Sequence, residues 1–289
     1  MPMLEVATTR PSYDSPLRYP GGKSSLTGFL GRALEARNLL GATYVEPFAG
    51  GAGAGISLLL QERVARIVIN DLDPAVYAFW SAVTTRGEEF IERLENVPLT
   101  LEEWRLQRGV YSRGPLDTVN TFDLGFAFFY LNRTNRSGVI NAGVIGGQAQ
   151  SGTYKIGARF NRDGLTSRIR SIFAKRDSIE VTSLDGRAVI ERFATASNTL
   201  MYVDPPYVQM GGSLYLNSFK ETDHALLATC LNRNAGANWI LTYDDVPLIR
   251  ELYEDRYVTA FELNYSARNT GKASELMILS DPLRSALVV

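Results

Sequence analysis

A strand that runs into a glycine-rich turn and continues as a helix, followed at once by a second strand and helix, leaves a chain few folds to adopt. Tyr44 and Val45 lead into Glu46-Pro47-Phe48-Ala49-Gly50-Gly51-Ala52-Gly53, and residues 54–61 then carry the apolar spacing of a helix. A second strand is expected over 66–70. It ends at Asp71, and Pro74 stands where the first turn of a helix tolerates proline, opening a helix through Val83. Two such units in tandem point to a parallel, doubly wound sheet, so the expected class is α/β with a Rossmann-like core.

Helical spacing continues over 88–96, 101–111 and 121–131, and then dissolves from 132 to 164 into Gly, Asn, Ser and Thr with scattered cations. A loop of that length inside a compact domain is usually functional. Helices are expected again over 165–174, 187–193, 222–232 and 247–253, alternating with strands over 178–181, 199–203, 238–242, 258–263 and 275–279. With 289 residues, 45% of them hydrophobic, the chain can bury a full core. The expectation is a single catalytic domain over 1–289 with an inserted, mainly helical and loop region over 86–176.

The longest apolar runs, such as 56–60 and 239–242, fall far short of the roughly 20 residues that cross a bilayer. Residues 1–15 mix Glu5, Arg10 and Asp14 with prolines where a secretory signal needs an apolar stretch. No membrane association and a cytoplasmic location are expected. One cysteine, Cys230, excludes an internal disulfide, and one histidine, His224, leaves too few soft ligands for zinc, so no metal is expected. His224 reads as an exposed first-turn residue without a chemical role. The net charge of −1 hides an asymmetry, because residues 132–176 hold nine lysines and arginines against the single acid Asp163, a local charge of +8. Such a run is either a solvated face or a stripe that meets phosphate.

Asp204-Pro205-Pro206-Tyr207 directly follows the expected strand over 199–203, at the carboxyl edge of the sheet where such folds bind ligands. The adenine amino nitrogen is a poor nucleophile because its lone pair is delocalised into the ring. A carboxylate accepting one N–H and the Pro205 carbonyl accepting the other draw it toward tetrahedral geometry and free the pair for an incoming methyl group. The two prolines make both acceptors converge, and Tyr207 offers a ring on which a base extruded from a duplex stacks. Upstream, the glycine turn lets backbone approach a ligand, and Asp71 suits ribose hydroxyls. Those two features alone also fit a nicotinamide dehydrogenase. The four-residue motif favours a sulfonium methyl donor, which requires neither metal nor histidine. In Leu17-Arg18-Tyr19-Pro20-Gly21-Gly22-Lys23 a lysine follows two glycines at an expected helix start, a setting suited to a ligand carboxylate. It is not a phosphate loop, since Leu17 stands where the first glycine belongs.

Together these residues resemble the Dam-type, D12 class, site-specific DNA adenine-N6 methyltransferases. Tyr19-Pro20-Gly21-Gly22-Lys23 is similar to that family's amino-terminal cofactor motif, Glu46-Pro47-Phe48-Ala49-Gly50-Gly51 to its glycine motif, and Asp204-Pro205-Pro206-Tyr207 to its catalytic motif. They stand in the family's order, and the likeness spans roughly 17–279. Tyr130-Leu131-Asn132-Arg133 resembles the entrance to the family's target-recognition part, and residues 268–276 a basic stretch before the last strand. The resemblance implies a class-I S-adenosylmethionine-dependent methyltransferase fold with 86–176 as its target-recognition region. It implies methylation of adenine N6 in double-stranded DNA by base flipping, with Asp204, Pro205, Pro206 and Tyr207 catalytic. S-adenosylmethionine contacts are implied for Tyr19, Gly22, Lys23, Glu46, Pro47, Phe48, Gly50, Asp71, Asp185 and Asp204. A monomer is implied, and a cognate restriction endonuclease stays open as a partner.

The expected DNA contacts are Asn132, Arg133, Arg136, Lys155, Arg159, Arg268 and Lys272. The cations, with Arg162, suit phosphates, whereas Asn132, Asn135, Asn141 and Gln148 suit base edges. The glycine-rich loop 134–157 departs from the family and matches no decodable recognition sequence. Two other readings stay open: methylation of RNA or of a protein glutamine, whose nitrogens are also planar, and a DNA-binding regulator that keeps the fold without catalysis.

Overall fold

The structure, a computed structural model, describes residues 4, 6, 8, 12–19, 21–114, 120–209, 219–264 and 272–288. In chain order its elements are α1 (Thr27–Ala36), β1 (Thr43–Glu46), α2 (Gly53–Leu60), β2 (Arg66–Asn70), α3 (Pro74–Thr85), α4 (Gly87–Asn96), α5 (Leu101–Arg113), α6 (Thr121–Thr134), α7 (Arg162–Ala174), β3 (Ile179–Thr182), α8 (Gly186–Phe193), β4 (Thr199–Val203), α9 (Glu221–Arg233), β5 (Trp239–Asp244), α10 (Pro247–Leu252), β6 (Tyr257–Asn264), β7 (Lys272–Leu279) and α11 (Asp281–Leu287).

The strands make one sheet in the order β3-β2-β1-β4-β5-β7-β6. The first five are parallel, and β7 enters antiparallel between β5 and β6. The sheet is therefore mixed where a parallel one is expected. Burial explains the placement: Leu276 to Leu279 of β7 are all at 0% exposure and take the inner position, while β6 carries the exposed Ala260 and Glu262 and takes the edge. Alternate residues of each strand face opposite layers. Tyr44, Ile67, Ile69, Leu200 and Tyr202 join the core with α1, α2 and α3, whereas Val45, Val68, Met201, Val203 and Leu241 pack with α8, α9 and α10.

Local signals set the elements around the site. The Asp73 carboxylate accepts the N–H groups of Ala75 and Val76, and Pro74 occupies the first turn, so α3 starts immediately after the β2 edge. Helices α3, α4 and α6 pack on one another through aromatic rings: Phe79 stacks on Phe129 at 5.8 Å, and Phe90 meets Phe126 at 5.2 Å. The expected loop from 132 is shorter than the sequence suggests. Helix α6 runs on to Thr134, whose hydroxyl donates to the Tyr130 carbonyl at 2.7 Å, because three polar residues in a row are buried and leave no apolar periodicity to read. Short turns at Arg136–Gly138 and Ile156–Arg159 follow. Helix α7 begins at Arg162, where the Asn161 side chain accepts the Gly164 N–H.

Candidate active site

The carboxyl ends of β1, β2 and β4 meet around one cavity of about 440 Å³. In the turn after β1, Gly50 has φ +47°, a conformation that only glycine adopts freely, and Ala52 follows with φ +44°. Three contacts hold this turn. The Gly50 N–H donates to Asp71 Oδ2 at 2.8 Å, Trp80 Nε1 donates to the Gly50 carbonyl at 2.9 Å, and the Tyr19 ring lies so close that a Cβ on Gly50 would sit 2.5 Å from it. Asp71 Oδ1 accepts the Asp73 N–H at 2.9 Å, yet burial still pushes this carboxyl up to about 6. Burial likewise pushes Glu46 up to about 8, although its Oε1 accepts the Gly55 N–H at 3.0 Å.

Asn70, a residue the sequence reading passes over, closes the floor. Its amide donates to the carbonyls of Pro47 at 2.8 Å and Leu184 at 3.0 Å, and its oxygen accepts from Leu184 N–H and the Thr182 hydroxyl, both at 2.8 Å. One buried amide thus ties the loop after β1 to the loop after β3. A single polar residue ending the apolar run of β2 is the signal that marks it.

Asp204 emerges from β4 into a network of charged groups. Its Oδ1 accepts the Thr242 hydroxyl at 2.8 Å and lies 3.1 Å from the Tyr207 hydroxyl, and its Oδ2 lies 3.1 Å from Lys23 Nζ. Lys23 also donates to the Gly21 carbonyl at 2.9 Å and stands 3.6 Å from Glu275 Oε2. The Tyr207 hydroxyl reaches the same Glu275 oxygen at 2.8 Å. Burial pushes Glu275 up to about 7, with Lys23 opposing the shift. The Lys23 and Glu275 side chains are 4% and 2% exposed, whereas Asp204 keeps 21%, so of these three groups Asp204 is the most open to a ligand.

Tyr19, Gly22, Lys23, Glu46, Phe48 and Gly50 all reach the cavity wall, and Asp71, Asp185, Asp204 and Pro206 complete it. Pro47, Pro205 and Tyr207 do not line it: Pro47 gives its carbonyl to Asn70, Pro205 is buried, and Tyr207 turns its hydroxyl to Glu275 with Lys23 Nζ 4.9 Å from its ring centre. Lys23, expected to meet a ligand carboxylate, is paired with carboxylates of the protein itself. Asp185 is held below the usual carboxylate range by the Arg187 guanidinium, which it binds at 2.6 and 3.0 Å. Phe48 leans over Gly186, where a Cβ would come within 2.4 Å of the ring, and meets Phe219 edge-on at 5.7 Å.

Several expected DNA contacts differ. Asn132 is 1% exposed, accepting the Arg18 N–H at 2.8 Å and donating to the Arg18 and Gly138 carbonyls, each at 3.0 Å. Arg133, 9% exposed, donates to the Arg159 carbonyl, and burial beside Arg18, Arg168 and Arg159 pulls its pKa down to about 9. Asn135 is fully buried, accepting Trp104 Nε1 at 2.7 Å and donating to the Ile140 carbonyl at 2.8 Å. Arg162 caps the end of α4 through the carbonyls of Leu94 and Val97. Asn132 and Asn135 hold the turn at 138–141, which forms part of the cavity wall together with Asn132 itself. Arg136, Lys155, Arg159, Asn141 and Gln148 are exposed. Lys272 pairs in register with Asn264, while Arg268 and Pro20 lie outside the described residues. His224 is also not as expected: it is 2% exposed, with Nδ1 2.7 Å from the Tyr243 hydroxyl.

A family model described as D12 class N6 adenine-specific DNA methyltransferase matches residues 19–268. The chain belongs to this family. It is a DNA adenine methyltransferase, and its mixed seven-stranded sheet is the class-I methyltransferase fold. Among solved structures, the rRNA methyltransferase aviRa from Streptomyces viridochromogenes is similar, with 14% identity and a TM-score of 0.33 over 89% of this chain and 86% of that one. No curated protein matches. The matched span of the methyltransferase holds Tyr19, the glycine turn and Asp204, and ends before Glu275.

Proposed function

We propose that this chain transfers the methyl group of S-adenosylmethionine to N6 of adenine in double-stranded DNA, with the target base turned out of the helix toward Asp204. The observation that carries this reading is the continuity of the cavity: the glycine turn, Asp71 and Asp204 line the same space. Its volume of about 440 Å³ falls within the roughly 300–1,000 Å³ of small-molecule sites. The chemistry of the wall also fits. Six carboxyl side chains face it against two cations, Lys23 and Arg187, each already paired with a protein carboxylate, so the space suits a positively charged ligand. S-adenosylmethionine supplies an electrophilic methyl group on a cationic sulfur.

In this reading Asp71 receives the ribose hydroxyls, Phe48 and Asp185 border the cofactor adenine, and Tyr19, Gly22, Glu46, Pro47 and Gly50 shape the remainder of its site. Asp204 and the Pro205 carbonyl accept the two N–H groups of the target amine and localise its lone pair. Lys23 and Thr242 fix the carboxylate so that it does not reorganise as the reaction proceeds. Tyr207 supplies the ring beside the extruded base. Residues 1–289 act as one catalytic domain, in which 86–176 serves target recognition.

Labelled methyl transfer to duplex DNA, compared between wild type and Asp204→Ala with circular dichroism as a folding control, tests the proposal. The substitution is expected to slow transfer on the order of 100-fold or more. Wild-type rates in a folded Asp204→Ala protein would remove the carboxylate from the chemistry, and labelling of competing RNA in place of DNA would reassign the substrate.

A further inference from the structure

Glu275 is an acid directly before the fully buried apolar run 276–279 of β7, 2% exposed, in register with Asp244 of β5 and Phe261 of β6. A carboxylate placed there has a desolvation cost that no packing role explains. The groups around it are Lys23, Asp204 and Tyr207, with Tyr202 and Thr242 behind Asp204, Asp244 across the ladder on β5, and the uncharged Phe261 opposite it on β6. The Tyr207 hydroxyl has one proton and two carboxylate neighbours, Glu275 at 2.8 Å and Asp204 at 3.1 Å. Donating to the nearer one leaves its lone pairs facing Asp204.

We propose that Glu275 is a positioning residue for methyl transfer: it draws the Tyr207 proton away from Asp204 and, through that hydroxyl, takes up the proton that the adenine amine loses. This rests on the role given to Asp204 above. At the reacting centre the amine lone pair forms the new N–C bond, the sulfur–carbon bond of the donor breaks with its electrons on sulfur, and an N–H proton passes to Asp204 Oδ1. That proton moves on to the Tyr207 oxygen as the tyrosine's own proton moves to Glu275 Oε2. Asp204 and Tyr207 end as they began, and Glu275 ends neutral. A carboxyl pushed up to about 7 by burial is matched to accept a proton near neutral pH. Lys23, 3.1 Å from one acid and 3.6 Å from the other, is shared by two carboxylates before transfer and is left to Asp204 alone once Glu275 is neutral.

The test is the single-turnover rate of transfer to a duplex oligonucleotide as a function of pH, with S-adenosylmethionine and DNA affinities measured separately. Glu275→Gln keeps the shape and the acceptor oxygen but cannot take up the proton. It is expected to slow transfer on the order of 100-fold with both affinities unchanged. The wild-type rise in rate through pH about 7 should vanish in that variant. Tyr207→Phe should reproduce the altered profile, the double variant should be no slower than either single one, and Glu275→Asp should recover part of the rate. A Glu275→Gln protein with the wild-type rate overturns the relay alone, and so does a slow variant that keeps the wild-type pH profile. If that variant does not fold, Tyr207→Phe decides on the same readout. A wild type that methylates no adenine removes the underlying function and the relay with it.

Discussion

Lys23 serves two acids with one ammonium, so its contribution depends on whether both are charged. Glu275 has a folded-state pKa of about 7, raised from 4.5 by burial. The stability tied to its protonated form is therefore complete below about 4.5 and is lost as pH rises through about 7. Above that pH the fold holds a buried carboxylate that depends on Lys23. Lys23→Met is accordingly expected to destabilise the protein by roughly 3 kcal/mol at pH about 8.5, and by clearly less at pH about 5, where Glu275 is neutral with or without the lysine. Urea unfolding at the two pH values checks this. Equal losses at both would show that the charge of the lysine does not act through Glu275.

The contact between α3 and α6 depends on a residue with no side chain. At Gly125 a Cβ would lie 2.4 Å from the Ala78 carbonyl oxygen, and backbone cannot yield as a flexible side chain does. Gly109 in α5 faces open space. Gly125→Ala is expected to cost roughly 3 kcal/mol, whereas Gly109→Ala should stabilise by about 0.5–1 kcal/mol through helix propensity. Thermal or urea unfolding of the pair measures both signs, and equal effects would mean that α6 does not pack where the structure puts it. The same contrast explains what could be read in advance. Strands β2 and β4 stand where their apolar runs predict, and because each ends at the sheet edge, Asp71 and Asp204 reach the cavity as expected. Local pattern does not encode which strands become neighbours, so the insertion of β7 beside β5 was not legible. Nor was the direction in which Tyr207 points, since its partner Glu275 lies 68 residues away. Polar side chains that are buried and satisfied, such as Asn132 and His224, mimic surface residues until their partners are known.

Charge is distributed unevenly over the molecule: a total of −1 combines an acid-lined cavity with a segment, 132–176, that carries nine cations and one acid. Not all of those cations face outward. Arg133 is buried and Arg162 caps a helix, whereas Arg136, Lys155 and Arg159 are exposed on the same segment that walls the cavity at 138–141. Phosphates are repelled by the carboxyls of the cavity, so a duplex that delivers a base there needs its backbone held by cations beside it. Each phosphate contact releases counterions, and the logarithm of affinity falls with the logarithm of salt by about 0.9 per contact. The proposal that Arg136, Lys155 and Arg159 hold phosphate therefore predicts that replacing all three with glutamine lowers the steepness of the salt dependence by about 2–3. Arg133→Met should leave the slope unchanged and lower stability instead, because its guanidinium spends a bond on the Arg159 carbonyl inside the fold. Fluorescence anisotropy of a labelled duplex across a salt series gives both slopes, and a triple variant with the wild-type slope would move the DNA backbone to another face of the protein.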